Sequence, residues 1–345
     1  MNKNVSQKLQ LNATLPKGTK KRYKKQKILK PKLQEQPEVV PAEVVREPIE
    51  VEQAQKIIFQ PNKGPQTDFL SSNEREVLYG GSAGGGKSYA MLADPVRYLN
   101  NPHFRGLLVR RTTEELRELI SVSKTLYPQA IPNIKFMERD KTWVAPSGAT
   151  LWLSYLDRDD DVTRYQGQAF SWIGFDELTQ WPTSYPFDYM RSRLRTTRNS
   201  GLEVYQRATT NPGGPGHSWV KKMFVDPAPH GEPFWATDIE TGKPLLWPKG
   251  HSQEGQPLFK RRFIPATLFD NPYLAEDGMY EANLLSLPEN QRKQLLEGNW
   301  DVSEGAAFPE WNRTTHVVEP YDIPTGWTKF RACDYGYGSH TGVLW

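Results

Sequence analysis

Eight residues constrain this chain more than any others: Gly81-Ser82-Ala83-Gly84-Gly85-Gly86-Lys87-Ser88. They satisfy the spacing G-x-x-x-x-G-K-[ST]. They also fall between an apolar run, Glu76-Val77-Leu78-Tyr79, that predicts a strand and a pattern from Lys87 to about Leu99 that predicts a helix. In that setting successive backbone N–H groups of the loop can curl around β- and γ-phosphate oxygens, with the partial positive charge of the helix N-terminus behind them. Lys87 is placed to bridge the β- and γ-phosphates, and the Ser88 hydroxyl to serve Mg²⁺.

A strand feeding such a loop needs parallel neighbours, and the chain supplies candidates. Gly106–Arg110, Thr150–Ser154, Ser171–Phe175 and Leu202–Gln206 predict strands, with a second helix over Thr113 to Leu126. Strands alternating with helices over this distance argue for a mostly parallel sheet covered on both faces, an α/β fold. After Pro212 the texture turns Pro-, Gly- and Trp-rich, with a helical segment from about Glu276 to Glu297 interrupted at Pro288. That stretch, about 215–300, is expected to be an appended subdomain and not more of the same sheet. Residues 301–328 are expected to be a linker. Lys329–Cys333 predicts a strand leading into Asp334, opening a further domain over 329–345.

Charge is unevenly spread. Residues 1–34 hold 11 Lys/Arg and no acid, whereas the other 311 residues carry 33 basic and 40 acidic groups, so the net +4 hides a basic tail on a mildly acidic body. Residues 1–55, the tail and a Pro/Glu-rich linker, are too poor in apolar groups to offset the entropy of ordering and are expected to stay disordered. The single cysteine, Cys333, excludes a disulfide-stapled fold. No apolar run approaches the length of a membrane span, and the lysine-rich start has no secretory-signal pattern, so no membrane association is expected.

Three further elements bear on chemistry. Trp172-Ile173-Gly174-Phe175-Asp176-Glu177 is an apolar strand ending in two carboxylates, 89 residues after Lys87. The first can hold a Mg²⁺ shell and the second can polarise an attacking water, a pair that points to hydrolysis rather than mere nucleotide binding. Gln66, about 20 residues before the Gly86-Lys87 end of the loop, offers an amide that can pair a donor and an acceptor with an adenine edge and so select ATP. Thr209-Thr210-Asn211, after a strand, would sit at the same sheet edge and could sense the γ-phosphate.

Taken together, the glutamine, the glycine loop, the Asp-Glu pair and the Thr-Thr-Asn element resemble the ATPase portion of the large terminase subunit of tailed bacteriophages. Asp270-Asn271-Pro272-Tyr273-Leu274, Leu295-Leu296-Glu297-Gly298-Asn299-Trp300 and Cys333-Asp334-Tyr335-Gly336 add the Asn-Pro-Tyr, Gly-x-Trp and Asp-x-Gly phrases common in that family. The resemblance covers about 57–345. It implies a P-loop NTPase of RecA/ASCE type over 56–300, followed by the first strand of an RNase H-like nuclease. The implied activity is ATP hydrolysis coupled to movement of double-stranded DNA into a procapsid, with ATP and Mg²⁺ as cofactors. Implied partners are duplex DNA, the portal protein, the small terminase subunit and further copies of the chain in a ring. The setting would be the cytoplasm of an infected bacterium and, transiently, the portal vertex of the procapsid, not the mature virion.

Carried over by position, Gly81 to Ser88 become the phosphate site, Asp176 the Mg²⁺-associated acid, Glu177 the catalytic base, Thr209 to Asn211 the coupling element and Gln66 the adenine contact. Asp334 matches the first acid of a two-metal nuclease using Mg²⁺ or Mn²⁺, which needs three or four carboxylates. Eleven residues after Asp334 do not supply them, so the cutting activity is expected to be incomplete in this chain. Some large terminases have an arginine near the start of the loop, where Ser82-Ala83 has none. Arg164 is the first candidate for the charge-stabilising arginine, acting on a neighbouring subunit, with Arg110 or Arg111 second. If 189–198 is helical, Arg191, Arg195 and Arg198 share a face and, with Lys221, Lys222 and Lys260-Arg261-Arg262, could track phosphates without reading bases. The basic tail is a candidate tether for DNA or a packaging partner. Two other readings remain: a two-domain helicase, which needs a second nucleotide-facing domain, and a non-hydrolysing nucleotide switch, against which Glu177 argues.

Overall fold

The computed structural model describes residues 57–276, 278–302, 321–328, 330–334 and 342–344. Contacts divide the chain into two units, residues 1–304 and 305–345. The expected tail and linker over 1–55 and most of the expected linker over 301–328 lie outside the described residues.

The first unit is built on nine strands: β1 (Glu76–Gly81), β2 (Arg105–Arg110), β3 (Lys135–Met137), β4 (Thr142–Val144), β5 (Thr150–Tyr155), β6 (Trp172–Asp176), β7 (Tyr205–Thr210), β8 (Pro233–Trp235) and β9 (Lys260–Ala266). They form one sheet in the order β3-β4-β5-β2-β6-β7-β1-β9-β8. The six strands from β5 to β9 in that order run parallel, and antiparallel β3-β4 and β8 close the two edges. The expected α/β fold with a mostly parallel sheet is therefore present.

Alternate residues of the central strands feed two cores. Val77 and Tyr79 of β1, Leu108 of β2 and Trp172 of β6 face one core. Leu78, Leu107, Val109, Ile173 and Phe175 face the other. Burial on both faces is why these strands read as continuous apolar runs. Helices α1 (Pro65–Ser71), α2 (Lys87–Ala93) and α3 (Thr113–Ala130) cover the first face, while α4 (Tyr185–Arg191) and α5 (His217–Val220) cover the second. Helix α3 starts at a capping box: the Glu115 N–H donates to Thr112 Oγ1 at 3.3 Å and the Thr112 N–H to Glu115 Oε2 at 3.2 Å. Three short helices follow the sheet: α6 (Pro272–Ala275), α7 (Met279–Leu285) and α8 (Glu289–Leu295). No described helix is long and apolar enough to cross a membrane.

Four expectations need correction. The region after Pro212 does rejoin the sheet, because β9 lies parallel beside β1 and β8 pairs with it; α6 to α8 stand apart as a small cap, and the segment between β8 and β9 is held by its own isolated bridges. Strand β7 runs over 205–210 instead of 202–206. Helix α2 stops at Ala93 and continues as a 3₁₀ turn over Asp94–Tyr98, since Pro95 disfavours the α-helical continuation. Helix α4 ends at Arg191, so the arginine stripe over 189–198 does not form. Beyond it the chain is drawn into a bridge in which Phe170 N–H donates to the Arg193 carbonyl and Arg195 N–H to the Phe170 carbonyl, at 3.0 Å each. In the second unit, β10 (Ala332–Asp334) and β11 (Gly342–Leu344) pair antiparallel. The Asp334 side chain lies outside the described part, as do Tyr335 and Gly336.

Candidate nucleotide site

Parallel strands bring their C-terminal ends to one edge of the sheet, and the sequence candidates gather there. The loop leaves β1, Asp176 ends β6, Thr209 and Thr210 end β7, and Arg110 ends β2. Register puts Asp176 opposite Thr209 and Gly81 opposite Ala266.

The loop is braced from several sides. The Ser82 N–H donates to the Ala266 carbonyl at 2.8 Å, the Ala83 N–H to the Leu295 carbonyl at 2.6 Å, and the Tyr79 hydroxyl to the Gly85 carbonyl at 2.9 Å. Asn271 Nδ2 donates to the Gly84 carbonyl at 2.7 Å, which gives the Asn-Pro-Tyr phrase a physical task. Gly81 has φ +137°, and a Cβ there would meet the Ala266 carbonyl oxygen at 2.1 Å, so only glycine permits this approach. Gly298, at φ +65°, backs onto the loop from the cap side; its Cβ would meet Ser82 N at 2.8 Å. Two residues on, Trp300 stacks on His217 at 5.2 Å and its carbonyl lies 2.9 Å from His217 Nε2. Because Gly213 N–H donates to His217 Nδ1 at 2.9 Å, Nε2 carries the proton and donates to Trp300. Burial pushes the His217 imidazole below its ordinary range, consistent with this neutral form.

The N–H groups of Gly84, Gly85 and Gly86 meet no acceptor among the described residues, while the carbonyls of Ser82, Gly84, Gly85 and Gly86 are taken up by protein donors. Such donors suit phosphate oxygens. Lys87 is buried and donates from Nζ to the Ser82 carbonyl at 2.5 Å. Burial lowers its ammonium to about 8, against the pull of Glu177 and Asp176 in the other direction. Ser88 Oγ donates to Asp176 Oδ1 at 3.2 Å, the hydroxyl–carboxylate arrangement that a Mg²⁺ shell requires.

Asp176 is fully buried and densely bonded. Thr209 Oγ1 donates to the same Oδ1, and Arg110 reaches Oδ2 from Nε at 2.7 Å and from Nη2 at 2.5 Å. Glu177 follows in the left-handed region at φ 60°. Desolvation first, and then the Asp176 charge, push its carboxyl up to about 7, against the counter-pull of Lys87, Arg110 and the Asn211 N–H that donates to it. Behind it, Thr210 Oγ1 accepts from the Thr179 N–H at 3.1 Å and lies 2.7 Å from Thr179 Oγ1. Gln66 is buried at the loop. Its Oε1 accepts from the Asn62 N–H at 2.7 Å and its Nε2 donates to the Gly86 carbonyl at 3.0 Å, which leaves one N–H and one lone pair for a further partner.

The structure thus brings together Gln66, Lys87, Ser88, Asp176, Glu177, Thr209, Thr210 and Asn211. Arg164 is held apart, half-exposed, by the Tyr155 carbonyl at 2.8 Å and the Asp161 carboxylate at 3.5 Å. Arg111 pairs with Asp159 at 3.0 Å. Arg110, second among the charge-stabilising candidates, reaches the acid pair of its own chain, which strand order alone could have revealed.

The expected phosphate-tracking cations are mostly engaged elsewhere. Arg191 pairs with buried Glu76 and, at 2.7 Å, with Asp188, while Arg261 reaches Glu76 at 2.8 Å. Burial would push Glu76 up, but the two guanidiniums outweigh it and hold the carboxyl below its ordinary range. Arg195 donates to the carbonyls of Gly167 and Gln168, and Lys221 pairs with Asp301 at 2.7 Å. Arg198 and Lys222 are exposed.

A family model described as terminase large subunit, T4likevirus-type, N-terminal, matches residues 78–315. No curated protein matches the sequence. Among solved structures, the large terminase from a thermophilic bacteriophage is 18% identical with a TM-score of 0.50, over 82% of this chain and 64% of that one. This chain thus spans 64% of the length of that relative, and the likeness is one of fold. The large terminase ATPase domain of Thermus phage P74-26 is 13% identical, TM-score 0.46, over 70% of this chain and 94% of that one. The N-terminal domain of the DNA packaging ATPase from bacteriophage phi29 is 21% identical, TM-score 0.33, over 43% of this chain and 77% of that one.

Proposed function

Since the chain belongs to the terminase large subunit family, matched over residues 78–315, we propose that it is an ATP-hydrolysing motor that drives double-stranded DNA into a procapsid. The observation that carries this reading is the acid pair at the loop. Asp176 is bonded to Ser88, and Glu177 sits beside it with a carboxyl pushed up to about 7. A base poised near neutral pH can both take a proton from water and give it up afterwards. The large terminase from the thermophilic bacteriophage has been solved with ADP and with ATP-gamma-S, which agrees with nucleotide use.

The geometry supports the following roles. The N–H groups of Gly84 to Gly86 and the Lys87 ammonium would hold the phosphates. Ser88 and Asp176 would hold Mg²⁺, whose chemistry here is to neutralise phosphate charge. Glu177 takes the proton of the attacking water. Gln66 has one N–H and one lone pair left for an adenine edge. Thr209 on Asp176 and Asn211 on Glu177 tie the end of β7 to both acids, so a change at the phosphates reaches Gly213, His217 and Trp300.

Arg164, whose side chain is half-exposed, would serve a neighbouring copy in a ring. DNA contact falls to exposed cations such as Arg198 and Lys222. The portal protein and small terminase subunit are the proposed protein partners, and Asp334 the first acid of a metal-dependent nuclease. Duplex DNA should stimulate ATP turnover by this chain, with no strand displacement. Turnover indifferent to DNA, or robust unwinding, would refute the motor reading.

A further inference from the structure

Every acceptor position of Asp176 that faces the site is claimed. Oδ1 takes the hydroxyls of Ser88 and Thr209, and Oδ2 takes two nitrogens of Arg110. The guanidinium also reaches Ser88 Oγ, from Nη2 at 3.5 Å. It therefore bridges the same hydroxyl and carboxylate that the reading above gives to Mg²⁺. Two cations cannot both be held by one carboxylate at full strength, since each weakens the other by Coulomb repulsion and by drawing on the same negative charge.

Arg110 also has a second place to go. Its Nη1 donates to the Glu115 carbonyl at 3.2 Å and lies 3.9 Å from the Glu118 carboxylate, both on α3. Losing Asp176 would not leave the guanidinium buried without partners, which is the costly outcome for an arginine.

We propose that Arg110 is a stand-in cation that competes with the nucleotide-borne metal for the Asp176 carboxylate, and so sets how much Mg²⁺ the site requires. When metal prevails, the guanidinium keeps its α3 partners, and the β2–α3 junction feels the exchange. The proposal rests on the nucleotide-site reading given above. It makes Arg110 a positioning residue acting on its own subunit, distinct from an arginine supplied across a ring.

The test is a fluorescence titration of mant-ADP binding to the full 345-residue chain at increasing Mg²⁺, comparing the parent with Arg110→Gln and Arg110→Lys. Removing the competing charge should lower the Mg²⁺ midpoint about tenfold in Arg110→Gln, equivalent to about 1.4 kcal/mol. Arg110→Lys keeps the charge but not the fork, so its midpoint should fall by less, about threefold. Affinity for mant-ADP in EDTA should not change. A midpoint that stays or rises overturns the proposal. So does a parallel loss of metal-free affinity, which would mean that Arg110 grips phosphate. If Arg110→Gln does not fold by circular dichroism, Arg110→Lys decides by the same criterion. A parent chain whose mant-ADP binding is absent or indifferent to Mg²⁺ would instead sink the nucleotide-site reading itself.

Discussion

Replacing Glu177 by glutamine removes a titratable carboxyl while keeping its shape, and the structure sets the size of the effect. The carboxyl is pushed up to about 7 from an ordinary 4.5. At about 1.4 kcal/mol per unit, ionising it in the folded chain costs on the order of 3 kcal/mol. The sign follows from proton linkage. A carboxyl whose folded pKa is raised binds more proton in the folded than in the unfolded state between these two values, so stability falls as pH rises from about 4.5 to 7 and stays low above. Glutamine has no such slope.

In unfolding melts of the parent and Glu177→Gln without nucleotide, the two should coincide near pH 4 and separate as pH rises, with the variant the more stable. A domain of this size shifts about 2–4 °C per kcal/mol, so the gap at pH 8 should reach about 6 °C or more. The same variant should bind ATP yet turn it over at least about 10²-fold more slowly, as expected when a general base is lost. A gap independent of pH would show that burial does not raise this carboxyl. Parental ATPase in the variant would remove Glu177 as the base.

Gly298→Ala forces a Cβ into the loop backbone at a positive φ; we expect a loss of about 2–3 kcal/mol in urea unfolding together with weaker nucleotide binding, and parental values for both would refute the bracing role. Arg191→Ala strips one partner from buried Glu76 and should cost about 3 kcal/mol, while the salt dependence of DNA binding stays as in the parent; a shallower salt slope would return Arg191 to the DNA surface. Arg164→Ala subunits alone should hydrolyse ATP slowly, and mixing them with Lys87→Ala subunits should restore part of the rate; normal turnover by Arg164→Ala alone would exclude it as the shared arginine.

The parts legible in the sequence are those whose partners are local. The glycine loop, its strand and its helix are contiguous, and the acid pair closes the strand that carries it. Arg110 was legible as a candidate, but its bond to Asp176 of the same chain was not, because the two are 66 residues apart and strand order is not written in spacing. Strand β9 escaped for another reason: Pro265 breaks the pattern of a strand. It is tolerated because β8 pairs only with Lys260–Arg262, so β9 is an edge at Pro265 and a missing N–H does no harm there. Strand β7 starts three residues and ends four residues later than its apolar pattern predicts, since Gln206, Arg207, Thr209 and Thr210 are polar yet buried, each with bonding partners that apolar periodicity does not register.

Gly298, wedged against Ser82, gives the molecule a mechanical property. The segment from Leu295 to Trp300 is a strap across the phosphate loop, anchored by the Leu295 carbonyl at one end and by the Trp300–His217 stack at the other. Val302, whose carbonyl accepts from Gln294 Nε2 at 2.9 Å, lies four residues past Gly298. Tension applied to the chain beyond Val302 therefore reaches the phosphate loop across that short span. A fragment ended at Ala266 would retain every phosphate-binding side chain and still lose the strap that holds them taut.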